Sequence, residues 1–118
     1  LQESITFTGS RKDISSVYKF SDIVFNLSIK PEPFGRTTIE AISSGSKVIG
    51  WDHGGTQEIL NELYPEGLVE LNNIENLKNK VLEISLRDYP SPKENIYTLE
   101  RMTSQTIDLY QQLLSNKL

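Results

Sequence analysis

At 118 residues, with 36% apolar and 24% charged, the chain has the length and composition of one soluble globular domain or a part of one. A net charge of −4 with no basic run argues against nucleic acid as a partner, and the absence of cysteine excludes disulfides and thiolate chemistry. The apolar runs are only a few residues long, far short of a membrane span, and no signal peptide is visible. A reducing cytoplasm is therefore the expected compartment, with the parent protein peripheral at most to the inner membrane face. The chain starts at Leu1 and almost at once enters a strand-like run, which reads as a cut rather than a natural beginning.

Residues 4–9 (SITFTG) are β-formers ending at a glycine and predict a first strand. Residues 13–21 carry an acidic cap, Asp13, and apolar Ile14, Val17, Tyr18 and Phe20, the pattern of a short helix. DIVFNLS, residues 22–28, is a near-continuous apolar run of strand length, as in a strand buried on both faces. The elbow KPEPFG follows, then a helix from about Arg36 to Ser44 closed by Gly45. KVIGW, residues 47–51, predicts the next strand, and DHGG the next turn. A helix over 56–64 with Thr56 as its N-cap leads to a fourth strand, GLVEL, over 67–71. Residues 72–88 place Ile74, Leu77, Val81 and Ile84 at helical spacing behind an Asn73 cap. Pro90 and Pro92 break that helix, and residues 94–118 predict a helical tail interrupted near Thr103 and Ser104, with one stripe of Ile107, Tyr110, Leu113 and Leu114.

The alternation of strand and helix predicts an α/β fold, a Rossmann-like parallel sheet of about four strands with helices on both faces. In such sheets ligands sit beyond the carboxyl ends of the strands, where the elbow and the DHGG turn both fall. The elbow is flanked by two glutamates, Glu32 and Glu40. Spacing alone carries nothing, because glutamates eight apart recur at 58/66, 62/70 and 75/83 among eleven in all. The local chemistry is what differs. Pro33 biases Glu32 toward an extended backbone, and Gly35 lets a ligand approach the main chain. Arg36, Thr37 and Thr38 then expose unpaired helix N–H groups, which suit a phosphate. Glu40, a turn further on, can accept from a pair of hydroxyls. A sugar nucleotide has that sequence of groups.

The ordered set FTGS, SDIVFNLS, PEPFGRTTIEAISSGSKVIG, GGTQEIL and GLVEL resembles the carboxyl-terminal, donor-binding domain of a retaining family-4 glycosyltransferase (glycosyl transferases group 1) of the GT-B fold, over about the first 70 residues. The resemblance implies that residues 1–118 are a partial nucleotide-sugar-binding domain, one incomplete half of a GT-B enzyme, with 94–118 as its helical tail. It implies transfer of a sugar from a nucleoside-diphosphate donor, UDP- or GDP-linked, to an acceptor with retained anomeric configuration. Glu32 would bind donor-sugar hydroxyls, helped by the backbone N–H groups of Phe34 and Gly35. The backbone at Arg36 and Thr37 would meet the diphosphate, with Gly54 and Gly55 lining it. Glu40 would bind the ribose diol, and backbone near Arg11 the base. No catalytic residue is assigned within this chain. No cofactor or metal is expected, and no Asp-x-Asp motif occurs. The chain departs from the family pattern at Ser46, usually Pro, and at 56–58, where Thr-Gln-Glu replaces x-Pro-Glu; both read as turn-level changes.

On this resemblance, the acceptor-binding amino-terminal domain, the first two strands of the donor domain and the Arg/Lys pair that neutralises the leaving diphosphate are expected to lie outside these 118 residues. Lys12, Lys30, Arg36 and Lys47 are candidates for partial compensation. The chain alone is expected to bind donor weakly and to be inactive. Without its neighbours the first strand should either move beside the second or pair with another copy, giving self-association through an open sheet edge. The rival readings are a GT-B-fold epimerase or phosphorylase and a non-catalytic sugar-nucleotide-binding or interaction module. A dinucleotide-binding domain is disfavoured because no G-x-G-x-x-G follows a strand. His53 reads as a loop residue, Trp51 as strand packing, Gly54-Gly55 in its simplest form as a turn, Glu58 as a first-turn acid, and Glu62 and Glu66 as a solvated face.

Overall fold

A computed structural model describes residues 2–86 and 88–116. Leu1, Arg87 of the predicted fourth helix and residues 117–118 of the predicted tail lie outside the described residues. The fold is α/β, with a three-stranded parallel sheet flanked by helices. Its strands are β1 (Ile23–Asn26), β2 (Lys47–Trp51) and β3 (Leu68–Val69), in the order β1-β2-β3. Val24 lies opposite Val48, Phe25 opposite Ile49, and Gly50 opposite Leu68. Four consecutive residues of β2, Val48 to Trp51, are buried. Because side chains alternate across a sheet, both faces of this central strand are covered.

The helices are α1 (Ile14–Phe20), α2 (Arg36–Ser43), α3 (Gly54–Leu63), α4 (Ile74–Ile84) and α5 (Leu99–Ser115). The parallel connections β1-α2-β2 and β2-α3-β3 bring α2 and α3 together, and they pack on each other and on β2. Ile39, Ile42, Ile59, Leu60 and Leu63 are the buried residues of that layer. Each such side chain contributes about 1.5–3 kcal/mol on leaving water. α4 packs on β2 and β3 through the fully buried Ile84, and the Lys47 ammonium donates to the Ile84 carbonyl at 3.2 Å. A cation there offsets the partial negative charge of the helix carboxyl end.

The predicted first strand does not form. A 3-10 turn at Gln2–Ser4 leads into irregular, exposed backbone, with Ile5 57% and Phe7 95% exposed. A strand satisfies its N–H and C=O groups only by pairing, and residues 5–8 have no neighbour. They do not move beside β1, so that intramolecular repair is absent. β1 is therefore an open edge, with Phe25 45% exposed.

One cap and two helix boundaries also differ from expectation. Asp13 stands at the N-cap of α1 but makes no capping bond, because Arg11 takes both its carboxylate oxygens at 2.8 and 2.6 Å. α3 starts at Gly54, with His53 rather than Thr56 at its N-cap. α5 runs unbroken through Thr103 and Ser104 and begins only at Leu99, where the Thr98 hydroxyl accepts from the Arg101 amide at 3.1 Å. Residues 89–98 form a strap rather than a helix. It is tied down where the Lys93 amide donates to the Leu63 carbonyl, the Tyr64 hydroxyl to that of Pro90, and the Asn95 side chain to the Ser43 hydroxyl. No residue of α5 is buried, its whole predicted stripe included. Asn73, by contrast, caps α4 as expected, accepting from the Asn76 amide at 2.9 Å.

Candidate functional site

The elbow and the DHGG turn meet at the carboxyl end of the sheet. Three carbonyls of the connection between β1 and α2 accept from residues at the end of β2 and the start of α3. Leu27 accepts from the Trp51 indole at 3.1 Å, Ser28 from His53 Nε2 at 3.0 Å, and Glu32 from the Gly55 amide at 2.6 Å. A carbonyl can only accept, so the His53 contact requires the proton on Nε2. His53 thus holds the elbow in place, a structural role consistent with its reading as a loop residue.

The glycines make this approach possible. A Cβ on Gly55 would lie 2.4 Å from the Phe34 carbonyl carbon, and one on Gly54 would lie 2.9 Å from the Glu32 nitrogen. Gly54 and Gly55 therefore pack their open sides against the elbow, and the Gly55 N–H is used inside the protein. Gly35, at φ 78°, is the N-cap of α2 and makes no side-chain cap. The first intrahelical bond of α2 runs from the Ile39 amide to the Gly35 carbonyl at 3.2 Å, so the amides of Arg36 to Thr38 precede the helical ladder.

Beneath both loops sits a buried polar cluster that the sequence reading missed. Asn26 Nδ2 donates to Thr38 Oγ1 at 3.0 Å and to Thr56 Oγ1 at 3.1 Å, and the two hydroxyls lie 3.3 Å apart. The three residues come from β1, α2 and α3, so the cluster locks the starts of both helices to the end of the strand. Thr56 is more than a turn-level substitution here. The legible signal was an Asn inside an apolar run, since a buried amide needs partners. Gly50 leaves room for the cluster, because a Cβ there would lie 2.5 Å from the Thr56 methyl. Ser46, the other departure from the family pattern, is also buried, and its hydroxyl donates to the Tyr18 carbonyl.

Glu32, Phe34, Gly35, Arg36, Thr37, Gly54 and Gly55 thus converge on the first turns of α2 and α3. Glu40 lies a turn along α2, with Arg36 Nη2 at 3.5 Å. Its charge and the Thr37 hydroxyl both bear on the Tyr18 phenol, whose pKa is raised first by burial and then by Glu40. Arg11 is paired with Asp13, with its own pKa raised and that of Asp13 lowered by the hydrogen bonds between them. Phe34 is half-exposed and meets the edge of Tyr97 at 6.0 Å. The Tyr97 hydroxyl donates to Glu62, so that carboxylate does more than face solvent. Burial first, then the Glu62 bond, push the Tyr97 phenol up to about 12. No cluster of three or more metal-ligating side chains occurs among the described residues, and no helix there is long and apolar enough to cross a membrane.

A parallel sheet flanked by helices places the chain among the α/β proteins, whose open sheets generally bind ligands beyond the carboxyl ends of their strands. The sequence profile of the family described as glycosyl transferases group 1 matches residues 1–100, and the chain belongs to that family. It is also similar to a mannosylfructose-phosphate synthase of Agrobacterium fabrum (strain C58 / ATCC 33970), 39% identical over 57 residues. That match covers 47% of this chain and 12% of the relative, so the chain spans a small part of that protein's length.

Proposed function

We propose that this chain is the donor-binding part of a retaining, metal-independent glycosyltransferase, the carboxyl-terminal domain of a GT-B enzyme. The parent protein transfers a sugar from a nucleoside-diphosphate donor to an acceptor held by another domain. Family membership supports glycosyl transfer as the chemistry. The observation that carries the donor assignment is the uncapped start of α2, whose amides follow Gly35 between the carboxylates of Glu32 and Glu40. In this reading Glu32 and the Phe34 and Gly35 amides hold the sugar, and the backbone of Arg36 and Thr37 meets the diphosphate. Glu40 binds the ribose, exchanging its loose contact with Arg36 for two hydroxyls, while Gly54 and Gly55 serve the diphosphate by fixing the elbow. Backbone at Arg11 meets the base.

An amide NMR titration with UDP, GDP, ADP and UDP-sugars tests this. Saturable shifts at 34–40 with one nucleotide, lost in Glu40→Ala, are expected. Shifts that ignore Glu40, or none with any nucleotide, would refute the assignment of the donor site to this chain alone.

A further inference from the structure

Beside the elbow runs a cleft of about 760 Å³ between α2 and the start of α5. Its walls include Phe34, Arg36, Tyr97, Leu99, Arg101 and Met102, and among the described residues no carboxylate lines it. Two of the chain's guanidinium groups therefore share one largely apolar cavity in a protein of net charge −4. Neither is firmly engaged. Arg36 reaches Glu40 only at 3.5 Å, with its side chain 83% exposed. Arg101 lies 5.9 Å from the centre of the Tyr97 ring and donates to the Ile96 carbonyl at a long 3.4 Å.

Two guanidinium groups facing one cavity, each held only by a long contact, leave donors that a single anion can take up. A guanidinium fork matches the oxygens of a phosphate in a bidentate pair. The remaining wall is unsuited to a bare inorganic ion. Phe34, Leu99 and Met102 offer apolar contact, and the Phe34 and Tyr97 rings meet edge to face at 84°. Such a surface takes the flat C–H face of a sugar ring or an alkyl chain.

We propose that this cleft binds a monophosphate ester, with Arg36 and Arg101 on the phosphate and Phe34, Leu99 and Met102 against its carbon body. The site is separate from the proposed donor site in its α5 and strap residues, and it shares only the elbow and Arg36 with it. In the donor reading Arg36 acts through its backbone; here it acts through its side chain.

The test is a calorimetric and amide NMR titration of the whole chain with glucose 6-phosphate, n-butyl phosphate and inorganic phosphate, repeated on Arg101→Gln and Arg101→Lys. At least one ester should shift the amides of Phe34 and residues 97–102 and bind about tenfold more tightly than inorganic phosphate. Arg101→Gln should weaken it by about tenfold, and Arg101→Lys should restore only part of that, because an ammonium cannot make the bidentate contact. Stronger binding of glucose 6-phosphate identifies a sugar ring as the body, and stronger binding of n-butyl phosphate an alkyl chain; equal binding supports the site with the phosphate dominant. Binding no tighter than inorganic phosphate, or unaffected by Arg101→Gln, overturns the proposal. α5 has no buried residue, so the Arg101 variants keep the core, which spectral dispersion will verify. The nucleotide titration is read at 34–40 and through Glu40→Ala, and its failure would leave this result standing.

Discussion

Asn26 donates from Nδ2 to Thr56 Oγ1 at 3.1 Å, joining the end of β1 to the first turn of α3 across 30 residues of chain. Thr38 closes the same cluster from α2. Inside the protein such a network stabilises only when each member is satisfied, and removing one strands the others. Its placement under the elbow and the DHGG turn makes it the part of the core on which the elbow's geometry depends.

Asn26→Leu should therefore lower stability by about 1–3 kcal/mol, because two buried hydroxyls lose their donor. The triple change Asn26→Leu, Thr38→Val, Thr56→Val should recover much of that loss, because no buried polar group is left without a partner. Urea denaturation measures both. Equal stability of the single and triple variants would show that the cluster is not coupled.

Gly55→Ala and Gly45→Ala separate crowding from backbone strain. A Cβ at Gly55 meets Phe34 backbone at 2.4 Å, so the elbow must move away from α3. A cost of about 1–3 kcal/mol and large shifts of the Gly35 and Arg36 amides are expected. A Cβ at Gly45 meets nothing within 4 Å, although its φ is 83°. Only the left-handed strain applies there, about 1 kcal/mol, with the elbow amides unmoved. Thermal melts and amide spectra of the two variants decide the matter.

Glu40→Ala should weaken nucleotide binding by about tenfold or more while changing stability by less than about 0.5 kcal/mol. The small stability term follows from the long, exposed contact with Arg36. A large loss of stability with unchanged affinity would make Glu40 a structural residue.

Tyr97 provides a test in alkaline solution. Burial and the bond to Glu62 push its phenol up to about 12 in the folded chain, from an ordinary 10.0. A raised folded-state value means that the stabilisation is complete below pH 10.0 and is lost as the pH rises towards 12. The strap should therefore loosen in that window, as the ionised ring faces Glu62. Tyr97→Phe should delete one late-titrating group from the tyrosinate absorbance curve. Tyr64 and Tyr89, also raised, will remain. Loss of an early-titrating group instead would contradict the burial of Tyr97.

The open edge of β1 predicts association. Phe7, Phe20 and Phe25 are 95%, 91% and 45% exposed, and the edge carries unpaired backbone groups. Sedimentation of the isolated chain should show concentration-dependent dimers that Phe25→Lys suppresses. A monomer at all concentrations would rule out the expected pairing.

The sequence alone determined the features that depend on neighbouring residues. KVIGW is a strand at the predicted residues, α2 ends where Gly45 follows it, and Asn73 caps α4. β-branched runs, a left-handed glycine and a capping amide act over a turn or a few residues, so their signals are local. The elbow was legible for the same reason, since Pro33 and Gly35 constrain only their own backbone. Tertiary structure decided the rest. Residues 5–8 have strand propensity but no neighbour, and propensity without a pairing partner makes no strand. Thr56 resembles an N-cap until Asn26, 30 residues away, claims its hydroxyl in the core. Gly54 and Gly55 resemble an ordinary turn until the elbow packs on them at distances no side chain allows. Arg36 and Arg101, 65 positions apart, share a cleft only because the strap over α3 brings the start of α5 back to the elbow. Contacts between distant segments depend on how the whole chain is packed, and no local pattern encodes them.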